Sequence, residues 1–346
     1  MITRLSLKRG AKRAQIVVRY PAGDARIVLR AASEWTRDIE PVAAGSDGND
    51  WRFEVPVTSG FLYFKPMLVR GEERRWAVGH NFLALTHMSA ERTVYPYFSE
   101  DQRCAECELL ERDDGSGRKH RFRVFYPPGY HENTLTRYPV LYMQDGQNLF
   151  FPVEAFQGQH WRIGETLRTL DAMNVIDKAI VVGVYPNERE HDYTRPGYEA
   201  YGRFLTKVVK PHIDREYRTL TGPGNTAVMG SSLGGVVSLY LAWQYPAVFG
   251  MAAAMSSTFG WRDDLAERIA SEPGRPIRIY LDSGWPRDNY EVTRNMHALL
   301  KQRGYRDGID LDYLSFPEAL HNEQHWATRV HIPFQLFFGG IRSQPA

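Results

Sequence analysis

The sequence predicts a small antiparallel β-sandwich followed by an α/β unit, a mostly parallel sheet with helices on both faces. Three observations carry this prediction. The chain has 346 residues, and at roughly 150 residues per domain that length suggests two units. Over residues 1–95, short β-rich runs recur between turn signals, with no long helical pattern. From residue 119 onward, apolar runs alternate with helical segments, the order that produces a parallel sheet flanked by helices.

The first unit, residues 1–95, contains "AQIVVRY", "ARIVLRA", "WRFEVPV" and "FLYFKPMLV", separated by "PAGD", "GSDGND" and "TSG". Short strands at this spacing fit a sandwich. Ahead of them, Arg4, Lys8, Arg9, Lys12 and Arg13 carry positive charge with no acid among them, which reads as a solvated arm rather than an anion site. Residues 96–118 mix Pro, Ser, Gly and acid and read as a linker with an entry strand. In the second unit, residues 119–346, the strand candidates are "HRFRVFYPP", "YPVLYMQDG", "KAIVVGVYP", "NTAVMG", "FGMAAAMSS", "PIRIYLDSG" and "IDLDYLSFPE". Most are continuous apolar runs, as strands buried on both faces must be. Between them fall the helical segments "IGETLRTLDAM", "YGRFLTKVVKPHIDREY", "GGVVSLYLAWQY", "DLAERIA", "NYEVTRNMHALLKQRG" and "EQHWATRVHIPFQLFF".

Charge is nearly balanced, with 43 basic and 41 acidic residues and a net +2. A nucleic-acid binder would concentrate basic residues on one face, so no nucleic-acid partner is expected. The N-terminus lacks the apolar run of about 7–15 residues that a secretory signal needs. No window approaches the roughly 18 apolar residues of a membrane span. The chain therefore reads as soluble and cytoplasmic, with no membrane partner. Its two cysteines, Cys104 and Cys107, form a lone "CAEC" without the two further ligands a zinc site would want. They read as reduced thiols, and no metal or cofactor is expected.

The chemistry begins at "AVMGSSLGGVVSLYLAW", residues 227–243. A short buried strand leads into Gly230-Ser231-Ser232-Leu233-Gly234, and a helix follows. This fits G-x-S-x-G between strand and helix, where the serine occupies a strained turn and the residues two positions to either side must be small. The spacing selects Ser232 and leaves Ser231 as the variable position. Ser232 also falls at a helix N-terminus, where backbone N–H groups favour developing negative charge.

A serine hydroxyl needs a base, and in such a sheet the acid and then the histidine follow the serine along the chain. Four histidines lie beyond Ser232: His297, His321, His325 and His331. His297 is mid-helix, and His325 and His331 fall within the last helical segment. His321 lies in the loop after the last strand, at the sheet edge the base must reach, with His325 one turn on as the fallback. For the acid, "YLDSGWPRDNY" offers Asp282 and Asp288. Asp288, in the loop before a helix, is preferred; it could orient His321 through Nδ1–H or merely cap the helix. The oxyanion hole would take the N–H of Leu233 and one from "DGQNLF", with Gln147 as the second donor and Asp145 as turn-former.

"PVLYMQDGQNLF", "VKPHIDREYRT", "AVMGSSLGGVVSLYLAWQYPAVFG", "YLDSG…DNYE" and "HNEQHW" together resemble the esterase D / enterochelin-esterase-like branch of the α/β-hydrolases. That group includes S-formylglutathione hydrolases, feruloyl and acetylxylan esterases, siderophore esterases and mycolyltransferases. The resemblance spans roughly residues 119–340. It implies Ser232 as nucleophile, His321 as base and Asp288 as acid, although the loop from Gly284 to Asp288 is one residue longer than the family's Gly-x-x-Asp. The N-terminal unit is similar in placement to the immunoglobulin-like domain of siderophore esterases.

The expected partner is a small-molecule ester: phenolic, siderophore-type or acetyl-sugar. Aromatics near the expected site are Phe150, Tyr193, Trp261 and Trp285, with Phe150, Trp261 and Trp285 as candidate substrate contacts. Arg195 and Arg287 could meet an anionic group. The loop after the "KAIVVGVYP" strand is too short for a large cap, so an open cleft walled partly by the N-terminal unit is expected. Three readings follow: a serine esterase, an acyltransferase using the same acyl-serine, and an inactive binding protein on the same fold.

Overall fold

The computed structural model describes residues 12–85, 91–102 and 106–339. Cys104 and the basic residues Arg4, Lys8 and Arg9 lie outside them. Among the described residues, nine strands occupy the N-terminal part: β1 (Lys12–Arg19), β2 (Arg26–Ala31), β3 (Glu34–Ile39), β4 (Ala43–Ala44), β5 (Asp50–Val57), β6 (Phe61–Arg70), β7 (Glu73–Trp76), β8 (Phe82–Leu85) and β9 (Glu91–Val94). They form two sheets, ordered β4-β5-β1-β9 and β3-β2-β6-β7, with β8 also paired to β6. Strand β5 shows why they pack face to face. Trp51, Phe53, Val55 and Val57 are buried while the alternate residues are not, because successive side chains point to opposite faces. Ile16, Val18, Ile27, Leu29, Phe53 and Phe64 fill the space between the sheets.

A third, eight-stranded sheet follows, built from β10 (Glu106–Asp113), β11 (Lys119–Tyr126), β12 (Val140–Met143), β13 (Ile180–Val184), β14 (Thr226–Ser231), β15 (Met251–Met255), β16 (Arg278–Trp285) and β17 (Leu311–Pro317). Its order is β10-β11-β13-β12-β14-β15-β16-β17. The β10–β11 and β11–β13 pairs are antiparallel, and every pair from β13 to β17 is parallel. Strands β12 to β15 are buried along their whole length. Strand β17 lies at the edge and is only partly buried, which is why its sequence alternates where the central strands do not.

The helices are α1 (Ile163–Ala172), α2 (Arg189–Tyr193), α3 (Gly197–Phe204), α4 (Lys210–Glu216), α5 (Leu233–Gln244), α6 (Leu265–Ser271), α7 (Tyr290–Gln302), α8 (Glu323–Arg329) and α9 (His331–Phe338). A π-helical turn over Leu205–Val209 joins α3 to α4. The strand period of two divides the core. Tyr142, Val182, Val228 and Ala252 face the layer containing Tyr198, Val236 and Leu239. Leu141, Val181, Met229 and Ala253 face the layer containing Ile163, Leu167 and Phe334. In α5 all but the last residue are buried; a helix apolar on every side belongs in an interior. The last helical segment is not one helix: α8 and α9 are separated at Val330, three residues before Pro333. The segment beginning "YGRF" in the sequence reading starts earlier, at Gly197, and the loop before it carries α2.

The sandwich docks on the amino ends of the parallel strands. Glu132 accepts hydrogen bonds from Tyr20 Oη at 2.8 Å and from the Phe98 and Ser99 N–H groups at 2.7 and 2.9 Å. Asn133 Nδ2 donates to the Arg19 and Pro96 carbonyls. The cleft between the two parts, about 1030 Å³, is lined by Tyr138, Gly224 and Arg278, residues at the starts of β12, β14 and β16. The nucleophile candidate lies at the opposite end of β14. Among the described residues, the sandwich therefore does not wall the expected substrate cleft, contrary to the sequence expectation. The N-terminal strands run into the entry hairpin, and that hairpin sits at the sheet edge farthest from β17.

Candidate active site

Strand β14 ends at Ser231 and α5 begins at Leu233, so the single residue Ser232 turns the chain. Its φ and ψ are 56° and −125°, a conformation non-glycine residues rarely adopt. Hydrogen bonds hold it there: the Ser232 N–H donates to the Met255 carbonyl at 2.9 Å, and its own carbonyl accepts from Gly235 and Val236. Close approach requires glycine at 230 and leaves little room for a side chain at 234. A Cβ on Gly230 would stand 2.5 Å from the Gly234 carbonyl oxygen, and one on Gly234 would stand 3.1 Å from Gln144 Cβ. Ser231 is buried in the strand.

His321 leaves the loop between β17 and α8 and brings Nε2 to 2.9 Å from Ser232 Oγ. Its Nδ1 lies 2.6 Å from Asp288 Oδ1. The Trp326 ring packs edge-on against the imidazole, with centroids 5.0 Å apart. The histidine side chain remains 38% exposed while that of Asp288 is 1% exposed, so one ring edge faces a potential substrate and the other a buried carboxylate. The remaining histidines after the serine sit on helices. His297 bonds Asp307 at 2.7 Å. The backbone N–H of His325 bonds the Asn322 cap of α8. His331 opens α9.

Asp288 does not cap α7; Asn289 is the residue preceding that helix. Its Oδ2 instead accepts from Ser256 Oγ at 2.7 Å and the Gly284 N–H at 2.9 Å, with Arg329 at 3.3 Å. Burial alone would raise this carboxyl, but the bonds from His321, Ser256 and Gly284 outweigh it and hold the group below the usual carboxylate range. Asp282, the alternative acid, points away from His321 into a buried cluster. It takes Arg329 Nε at 3.2 Å and Tyr280 Oη at 2.8 Å. Complete burial pushes it up to about 6, against the pull of Arg329. Ser256 Oγ also accepts from Trp326 Nε1 at 3.0 Å and from Arg329.

The turn after β12 brings a second set of groups to the serine. Asp145 has φ 55° and is buried. Its N–H donates to Tyr193 Oη at 2.9 Å, and Arg189 clamps its carboxylate through Nε at 2.8 Å and a second nitrogen at 2.9 Å. Gln147 follows in a short 3₁₀ turn over Gly146–Asn148. Leu233 is the first residue of α5, so its N–H has no partner four residues back within the helix. A Cβ on Gly234 would lie 3.2 Å from Asp145 Oδ2, so this turn and the elbow are in contact. Glu323 stands close by, bonded to Asn148 Nδ2 at 3.3 Å. Burial and the Asp145 charge raise its carboxyl above the ordinary value.

The expected substrate-contact residues divide. Trp261 and Trp285 are exposed, at 44% and 47%, on segments that leave the carboxyl ends of β15 and β16. Phe150 is buried and stacked on Phe125, with ring centroids 5.7 Å apart. It lines a separate cavity of about 300 Å³ with Cys107 and Leu167 that contains none of Ser232, Asp288 or His321. The apolar character that suggested a substrate contact here builds core. Tyr193 is likewise buried and holds Asp145. Arg195 pairs with Asp264 at 3.4 Å, and Arg287 is exposed. Burial pushes the Cys107 thiol up to about 11, away from the thiolate that redox chemistry needs.

Sequence reading missed Ser256, Arg329 and the Arg189 clamp. Only Arg329 left a usable signal: in "HWATR" it follows Trp326 by three residues, which puts both on one helix face. Ser256 and Arg189 reach the site through strand order, which their own neighbourhoods do not encode.

The family model Esterase, described as "Putative esterase", matches residues 115–330. A Bacillus subtilis (strain 168) relative, "Uncharacterized protein YbbA", is 24% identical over 249 residues, covering 64% of this chain and 94% of that protein. Among solved structures, the ferric enterobactin esterase of Salmonella typhimurium superposes with TM-score 0.56 at 14% identity, covering 90% of this chain and 88% of that one. A ferulic acid esterase of Anaeromyces mucronatus in complex with ferulic acid gives TM-score 0.53 at 17% identity, covering 68% of this chain and 94% of that one. At such identities the likeness to these two structures shows the fold. The first extends over the sandwich as well as the α/β unit. With the family model matching more than half of its length, the chain belongs to the Esterase family and is a carboxylic ester hydrolase of the α/β-hydrolase fold.

Proposed function

We propose that the chain hydrolyses its ester through an acyl intermediate on Ser232, with His321 as general base and acid and Asp288 as the group that orients it. The observation carrying this reading is the continuous relay of 2.9 and 2.6 Å from Ser232 Oγ through His321 to Asp288. Ser232 Oγ attacks the carbonyl carbon as its proton passes to His321 Nε2. The oxyanion forms against the N–H groups of Leu233 and Gln147. The acyl C–O bond breaks, and His321 returns the proton to the departing alcohol. Water then attacks the acyl carbon, giving its proton to His321, and Ser232 Oγ leaves with that proton. Asp288, kept ionised by its hydrogen bonds, stabilises the imidazolium in both halves.

The substrate class we propose is an ester of an aromatic acid. Trp261 and Trp285 offer exposed rings at the carboxyl edge of the sheet, and exposed aromatic faces suit flat aromatic groups. Two structural neighbours, by their names, act on ferulic acid and enterobactin esters. In this reading residues 119–346 carry the chemistry, and the sandwich of β1 to β9 stays at the amino ends of the parallel strands. A panel of feruloyl, catecholoyl-serine and acetyl-sugar esters, with acyl-adduct mass spectrometry, tests the proposal. Hydrolysis of the aromatic esters with a Ser232 adduct is the expected outcome. Turnover confined to acetyl-sugars would overturn the substrate class, and an adduct elsewhere would overturn the mechanism.

A further inference from the structure

Behind the proposed triad lies a fully enclosed ion cluster that the acyl-transfer steps do not use. Arg329 is 2% exposed and Asp282 is 0% exposed. The guanidinium stands 3.2 Å from Asp282 and 3.3 Å from Asp288, so one permanent cation is shared by two carboxylates. Burying a lone aspartate beside an arginine that already serves Asp288 is costly unless it is needed. With a neutral imidazole the cluster carries one net negative charge; with an imidazolium it is neutral.

We infer that Asp282 and Arg329 form a positioning pair for the triad acid: Arg329 anchors Asp288, and Asp282 draws off part of the arginine's field so that Asp288 acts on His321 as a full counter-ion. The inference rests on the triad reading above. Without Asp282, an undivided guanidinium would neutralise Asp288 from behind, and the imidazolium would lose support at the moment it forms. The Arg329 guanidinium, 3.2 Å away, favours the ionised form of Asp282 against its burial. The groups facing it are Tyr280 Oη from its own strand, Arg329 from α8, and Ser256, whose N–H donates to the Asp282 carbonyl at 2.7 Å. Glu323 feels the charges of Asp145, Arg189 and His321, and Arg189 clamps Asp145. These lie outside the buried cluster and are untouched by the substitutions below.

The test is charge compensation. Asp282→Asn keeps shape and removes one negative charge, so the acid limb of the kcat/KM profile should move about one unit to lower pH, with roughly a tenfold loss on the plateau. Asp282→Asn with Arg329→Gln restores the net charge, and the limb should return to within about 0.3 unit of wild type although the rate stays low. A role in packing alone predicts the reverse, with the double variant further from wild type than the single. Titration of the His321 imidazole resonance in ¹⁵N-histidine-labelled full chain should move in parallel, and it needs no ester. If wild type forms no acyl-serine, the triad reading fails while this titration still decides the pairing. Should the double variant not fold, Arg329→Lys keeps the charge and should leave the midpoint in place. An unmoved midpoint in Asp282→Asn, or a shift in Arg329→Lys equal to that of Asp282→Asn, would overturn the inference.

Discussion

Ser232 and Ser231 are neighbours with opposite surroundings, and that contrast makes the first prediction. Ser232 carries the positive φ and the hydrogen bond to His321, while Ser231 belongs to the buried strand ladder. Ser232→Ala should abolish fluorophosphonate labelling and turnover together. Ser231→Ala should keep activity within about threefold and cost about 1 kcal/mol of stability. A labelled Ser231 peptide in the mass spectrum would contradict both. Asp288→Asn should lower kcat by about 10⁴-fold with the fold intact, because the amide holds the wrong tautomer of His321. The same substitution has a pH signature. A carboxyl held below its ordinary value contributes stability that is fully present above about pH 4 and lost as pH falls through the depressed value. The drop in Tm caused by Asp288→Asn should therefore be larger at pH 7 than at pH 3. A drop of equal size at both values would mean that the hydrogen bonds to Oδ2 do not favour the ionised form.

At the scale of elements, the site depends on how closely β14, α5 and the turn after β12 approach. Gly230→Ala places a Cβ 2.5 Å from backbone oxygen, which only a shift of the elbow can relieve; a loss of about 3 kcal/mol is expected. Gly234→Ala meets the Gln144 side chain at 3.1 Å and Asp145 Oδ2 at 3.2 Å. Here the neighbours can give, so the cost should be nearer 1 kcal/mol. The displaced turn should lower kcat more than it raises KM. Chemical denaturation and steady-state kinetics on the two variants separate these effects, and equal destabilisation would refute the distinction. The elbow, its helix and the histidine loop were legible from spacing, because G-x-S-x-G and a histidine just past the last strand are local signals. The clamp of Arg189 on Asp145 was not, since residues 44 positions apart meet only when β12 and β13 are adjacent.

For the whole molecule, the sandwich and the site lie at opposite ends of the parallel strands. Glu132 is the anchor between them, satisfying Tyr20 Oη and the N–H groups of Phe98 and Ser99. Glu132→Ala leaves these donors without their acceptor and should cost about 1–3 kcal/mol. It should expose the sandwich to proteolysis and leave kcat within about twofold. A large fall in kcat with an unchanged proteolysis pattern would show that the sandwich reaches the substrate after all.

What the sequence determined by itself was the alternation of strands and helices after residue 119 and two local signatures, a serine at a strand-to-helix turn, Ser232, and a histidine after the final strand, His321. Composition and periodicity also separated the alternating N-terminal strands from the continuous apolar ones, because burial on one face or two is written into each strand. The tertiary structure decided which carboxylate meets the histidine. Asp282 and Asp288 are six residues apart on the same exit from β16. Strand geometry turns the first inward to Arg329 and the loop turns the second toward His321. It likewise sent Phe150 into the core and the sandwich to the amino ends of the parallel strands. Those outcomes depend on which strands lie side by side and which loop ends face each other, and hydrophobic pattern along one chain carries no record of that adjacency.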